Sequence, residues 1–187
     1  DNQISVSAVI ADVSELAPAL SNETRASYTG SKAAWAENDA LGLFCPDASP
    51  AAVNLQYTVT GISSTPVWTP SSAIYWKDGT TLHKFLAYAP YAAGNSVSTA
   101  VKLPNLGTQT GTMSSALDFL ISNNQKTGVA RTASVGLTFT HALSLVEFQM
   151  KIGGGVAANT TLTSFTLAGG ASEKLFSAAD ATIDLST

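Results

Sequence analysis

Val135-Gly136-Leu137-Thr138-Phe139-Thr140-His141 is the stretch whose reading decides the fold. Val135, Leu137, Phe139 and His141 fall on one face, with Gly136, Thr138 and Thr140 on the other, which is the period of two of a half-buried strand. Residues 142–145 shift the phase. Val146, Phe148, Met150 and Ile152 then line one face, with Glu147, Gln149 and Lys151 opposite, and Gly153-Gly154-Gly155 ends the run. Two alternating runs joined by a short connection read as a strand pair.

Outward from this pair the same pattern recurs. Ile4, Val6, Ala8 and Ile10 alternate with Gln3, Ser5, Ser7 and Val9, and Leu55, Tyr57 and Val59 alternate with Gln56, Thr58 and Thr60 up to Gly61. A polar turn at Asn38-Asp39 leads into Leu41-Gly42-Leu43-Phe44. Val67-Trp68-Thr69 and Ile74-Tyr75-Trp76 are short β-rich pieces around Pro70. Asp78-Gly79 is a two-residue turn signal ahead of the aromatic run 82–91. Residues 14–30 read as a loop with a short strand near 26–28, and residues 162–167 and 183–185 as further short strands. Residues 113–121 fit a helical turn or a strand equally. No segment holds helical apolar spacing beyond about two turns, so the pattern predicts an all-β sandwich and excludes folds built on crossover helices.

Composition agrees. The chain has 187 residues, 22 Ser and 22 Thr, and only 12% charged residues against 45% hydrophobic ones. Such a chain is too apolar and too weakly charged to be disordered, and Ser and Thr supply β-compatible polarity without charge. Cytosolic domains carry about twice this charged fraction, so composition leans towards export. A net charge of −4 excludes a nucleic-acid-binding surface, and one Cys excludes an internal disulfide framework.

The residues that carry chemistry are sparse. His83 and His141 stand 58 positions apart, neither with a second ligand at metal spacing, so no metal and no cofactor is expected. His141 continues an apolar strand face and reads as a core or strand-end histidine bonded to backbone. His83, after a turn and beside Lys84, reads as surface. Cys45 has no basic neighbour to activate it and reads as a small hydrophobe. No G-x-S-x-G elbow occurs, Gly153-Gly154-Gly155 precedes no helix, and Asp39 reads as a turn residue. Trp68, Tyr75 and Trp76 offer a glycan-stacking row if exposed, although aromatics in a sandwich usually pack between the sheets. The expectation is a non-catalytic protein, with a surface carbohydrate-binding module as the alternative.

Several of these segments together resemble a known family. Thr24-Arg25-Ala26, then Trp35-x-x-x-Asp39-x-Leu41-Gly42-Leu43-Phe44, is similar to the N-terminal half of the fimbrillin family of Bacteroides-type bacteria. Ile74-Tyr75-Trp76, residues 85–91 and Phe139-Thr140-His141-Ala142-Leu143-Ser144 continue the likeness in order, across residues 4–152. Leu145 stands where a basic residue is common in the family.

The resemblance implies transthyretin-like, Greek-key sandwiches in tandem. It also implies export as a lipoprotein to the outer membrane and cell surface, with a lipid on a residue upstream of this chain. The implied role is a fimbrial subunit or adhesin whose partners are other fimbrial subunits, and a host or bacterial surface receptor or glycan. Family assembly implies cleavage after an Arg, here Arg25 before Ala26, and exchange of the strand carrying Ile4, Val6, Ala8 and Ile10. Loss of a central strand there would open an apolar groove. Residues 1–133 are expected to form the first sandwich. Residues 134–187 would begin a second one or supply closing strands of the first.

Overall fold

A computed structural model describes residues 2–11, 34–62, 65–104, 117–143, 154–155, 160–161, 163–164 and 181–187. Nine strands lie among them: β1 (Val6–Ile10), β2 (Ala40–Cys45), β3 (Ala52–Val59), β4 (Trp68–Pro70), β5 (His83–Ala89), β6 (Val101–Lys102), β7 (Leu120–Val129), β8 (Val135–His141) and β9 (Thr182–Ile183). No α-helix occurs among the described residues, which are all-β as the periodicity predicts. The strands form a seven-stranded sheet, ordered β1-β8-β7-β5-β2-β3-β4, and a two-stranded sheet of β6 and β9.

Burial follows the alternation. In β8, Val135, Leu137 and Phe139 are buried while Gly136, Thr138 and Thr140 face outward. β2 and β5 are buried on both faces, which makes them the centre of the fold. On one side Leu41, Leu43, Tyr57, Val59, Trp76, Phe85, Ala87, Leu137 and Phe139 share the main core with the inner face of β1. On the other, Phe44, Tyr88, Val101, Phe119 and Leu185 form a second cluster roofed by the small sheet.

Two local devices shape the sheet. β3 carries one extra residue opposite Leu43 and Cys45, and there Asn54 adopts a left-handed backbone with φ of 52°. Such a bulge re-aims a side chain, and Asn54 accordingly turns its amide inward. Its Nδ2 donates to the Ala92 carbonyl at 2.9 Å, and its Oδ1 accepts from the Tyr88 hydroxyl at 2.8 Å. Asp78 closes the turn before β5, its Oδ1 accepting the backbone N–H groups of Thr80 and Thr81. The Thr81 hydroxyl, donating to Oδ2 at 2.6 Å, and those backbone donors hold the exposed Asp78 carboxyl well below the usual carboxylate range.

The structure differs from the sequence reading in three places. β7 is a long strand between β5 and β8 that shows no apolar alternation in its second half. His83 is fully buried rather than on the surface, because the alternation of β5 sets it on the same face as Phe85 and Ala87. Among the described residues β1 lies at the end of the sheet order, the place of an edge strand where a central one was expected. The expected strands at residues 26–28, 146–152 and 162–167, and the expected ending at residues 153–155, lie wholly or largely outside the described residues.

Candidate functional site

The sequence-predicted exchangeable segment is a strand held at its two ends by different parts of the fold. Ile4, Val6 and Ala8 are buried and Ile10 is half-buried against the main core, while Val9, pointing the other way, is 59% exposed. The first residues pair antiparallel with residues 74–76. The Trp76 N–H donates to the Asn2 carbonyl at 3.0 Å, the Ile4 N–H to the Ile74 carbonyl at 2.8 Å, and Asn2 Nδ2 to the Trp76 carbonyl at 2.8 Å. The chain then crosses to β8 and runs parallel to it, in a register from Val6 opposite Val135 to Ile10 opposite Phe139. The Val135 N–H donates to the Ser5 carbonyl at 2.9 Å and the Ala11 N–H to the Phe139 carbonyl at 2.8 Å. In a parallel ladder only alternate residues bond to the neighbour, so Ser5, Ser7, Val9 and Ala11 serve β8.

The opposite edge of β1 pairs with no strand among the described residues. Side chains reach it instead: Trp35 Nε1 donates to the Ala8 carbonyl at 3.0 Å, and the Tyr57 hydroxyl to the Ile4 carbonyl at a long 3.4 Å. Burial raises the Tyr57 hydroxyl above its ordinary range, which keeps it a donor. Sequence reasoning missed Trp35 and Asn2 as holding residues. The available signal was chemical, since an indole N–H or a side-chain amide drawn into a protein needs an acceptor.

The remaining expected site residues separate. Arg25 and Ala26 lie outside the described residues. Trp68, Tyr75 and Trp76 do not make one exposed row: Trp76 and Trp68 are buried in the main core, and Tyr75 alone is exposed. The reason is alternation, since Ile74 and Trp76 face inward and Tyr75 between them faces out. Trp76 packs edge-on against His83 at 4.8 Å and Phe85 at 5.9 Å.

His83 is tied to backbone on both sides. Its Nε2 accepts the Lys77 N–H at 3.1 Å, which assigns the proton to Nδ1, 2.9 Å from the Thr81 carbonyl. His141, at the strand end, sets Nδ1 2.6 Å from Asp118 Oδ1, a side-chain partner where a backbone one was expected. Its Nε2 has no hydrogen-bond partner among the described residues. No serine hydroxyl bonds to either ring there, so neither histidine forms a nucleophilic triad among the described residues. Cys45 is buried, and burial pushes its thiol up to about 12, the behaviour of an unreactive small hydrophobe. Among the described residues no three His, Cys, Asp or Glu side chains gather as metal ligands, and no helix is long and apolar enough to cross a membrane.

Comparison with known proteins places this geometry in context. A sequence profile of fimbrillin-like proteins matches residues 24–187. No curated protein matches the chain. Among solved structures it is similar to a proposed cell adhesion protein from Bacteroides uniformis ATCC 8492, with 17% identity and a TM-score of 0.39. The match covers 74% of this chain and 47% of that one, so the chain spans about half of that protein's length.

Proposed function

The chain belongs to the fimbrillin-like family, and from that membership we propose that it is a non-catalytic fimbrial subunit or adhesin displayed on the cell surface. We read it as an exported lipoprotein of the outer membrane, anchored through a lipid upstream of this chain and joined to other fimbrial subunits by strand exchange. One observation supports the exchange: among the described residues β1 stands at the sheet edge with its apolar face buried, and the backbone bonds of residues 2–11 go to two separate partners. Cleavage between Arg25 and Ala26 would free it. Its departure would unpair one edge of β8 and residues 74–76 and uncover the pocket that Ile4, Val6 and Ala8 fill. An incoming strand satisfies such a site by β-augmentation.

The same geometry supports reading residues 134–187 as closing strands of one sandwich. β8 is inserted between β1 and β7, β9 pairs with β6, and Leu185 fills the second cluster.

The test is immunolabelling of the native surface for this chain, with intact-mass analysis of the extracted protein. Labelled filaments and a mass lacking residues 1–25 support the subunit reading. Diffuse surface label with an uncut chain supports the adhesin reading. Absence from the surface overturns both.

A further inference from the structure

Trp35 is the side chain that touches both ends of the large sheet. β1 and β4 stand at opposite ends of the strand order, yet Trp35 bonds to Ala8 on β1 and meets the Trp68 ring of β4 edge-on, with centroids 5.0 Å apart. It also meets the Phe139 ring of β8 edge-on at 5.2 Å. The indole is delivered from a fixed point. Asp39 Oδ2 accepts the Ala36 N–H at 2.7 Å, and Asp39 donates its own N–H to the Ala36 carbonyl at 3.1 Å. Backbone bonds from Asn38 and Asp39 to Val59 pin that turn to the end of β3.

We infer that Trp35 is a latch on β1. It holds the strand in its seat, and its indole N–H takes the Ala8 carbonyl that another strand pairing on that side would need. An edge strand is an open template for pairing, and a bulky side chain bonded to its carbonyl both satisfies and obstructs it. The role in assembly rests on the exchange reading above, whereas the latch is a property of the lone subunit.

Hydrogen exchange on the full chain separates the two. The Ala11 amide, with Ser7 and Val9 by the alternation of the parallel ladder, reports opening of β1; Phe85 and Ala87 on β5 report opening of the core. Trp35→Phe keeps the ring contacts and removes the N–H, so β1 amides are expected to exchange about fivefold faster. Trp35→Ala is expected to accelerate them about a hundredfold or more, while β5, which opens only on global unfolding, speeds up by no more than the same factor. Wild-type rates in β1, with or without acceleration of β5, overturn the latch, because the β1 opening would then leave the Trp35 contacts intact. If Trp35→Ala does not fold, Trp35→Phe against wild type decides alone. A labelled peptide of residues 2–11 is then added to each protein. Faster uptake by Trp35→Phe supports latch and exchange together. Faster β1 opening without uptake leaves the latch standing and removes the exchange reading.

Discussion

Tyr88 lays its ring across Gly42 on the neighbouring strand, a contact that exists only because residue 42 has no side chain. The two are partners in the β2–β5 register, and the ring leans over Gly42 to bring its hydroxyl to Asn54 on β3. A Cβ at residue 42 would fall inside both the Tyr88 ring and the Asn54 amide oxygen. Tyr88 and Asn54 are both buried and neither can swing away.

Gly42→Ala is therefore expected to destabilise the fold by about 1–3 kcal/mol, the range for overpacking a filled core. Urea denaturation reads it. A loss below about 0.5 kcal/mol would show that Tyr88 relaxes freely. Tyr88→Phe separates the polar part, since Asn54 Oδ1 and the Ala92 N–H lose a partner, at about 1–3 kcal/mol.

The two faces of the N-terminal strand predict opposite responses to the same truncation. Ile4→Ala empties a fully buried position and is expected to cost about 2–5 kcal/mol. Val9→Ala, on the exposed face, is expected to stay within about 0.5 kcal/mol. Denaturation midpoints compare them directly, and similar losses would place β1 in another register.

Asn124 replaces a missing rung between β7 and β8. Backbone pairing stops at Leu120 and Ile121, and beyond it the Asn124 amide takes the part of a peptide group. Its Oδ1 accepts the Thr138 N–H and its Nδ2 donates to the Gly136 carbonyl, both at 3.0 Å. Asn124→Ala should speed exchange of the Thr138 amide about tenfold, with a stability loss of about 1–2 kcal/mol. Unchanged Thr138 protection would mean that other groups hold that edge.

Alkali should weaken the fold before it affects most surface groups. Burial pushes Cys45 up to about 12 from 9.0 and raises Tyr57 above 10.0. The native state keeps these protons after the unfolded chain has lost them. The part of the stability these two groups supply is therefore full below about pH 9 and falls as pH rises towards about 12. Urea titrations across that window should show the decline, with a shallower slope in Cys45→Ala. At neutral pH, thiol alkylation should proceed no faster than unfolding.

Periodicity reveals which face of a strand is buried, and on that point β1, β8 and the end of β3 carrying Tyr57 and Val59 were legible residue by residue, whereas the bulge that turns Asn54 inward was not. It does not reveal the neighbour. Nothing in Ile4, Val6, Ala8 and Ile10 distinguishes an edge strand from a central one, so the edge position of β1 emerged only from the fold. β7 was invisible because Asn123, Asn124 and Gln125 bond through side-chain amides and Lys126 through its ammonium, and they leave no apolar stripe. His83 was misread from its sequence neighbours, although its two-residue offset from Phe85 already assigned it inward. The N-terminal strand was legible as a segment; its clasps were not, because Asn2 and Trp35 act through single polar atoms that no pattern marks.

The parallel pairing of β1 with β8 gives that seat a direction. A replacement strand following the same path would enter with one polarity, so donor and acceptor surfaces would be different patches of the molecule. On the exchange reading proposed above, a strand passed to the next copy and not returned would make a heterologous interface. Copies joined that way would stack head to tail with two unlike ends, one carrying an unfilled seat and the other an unspent strand, whereas a reciprocal swap would close as a dimer.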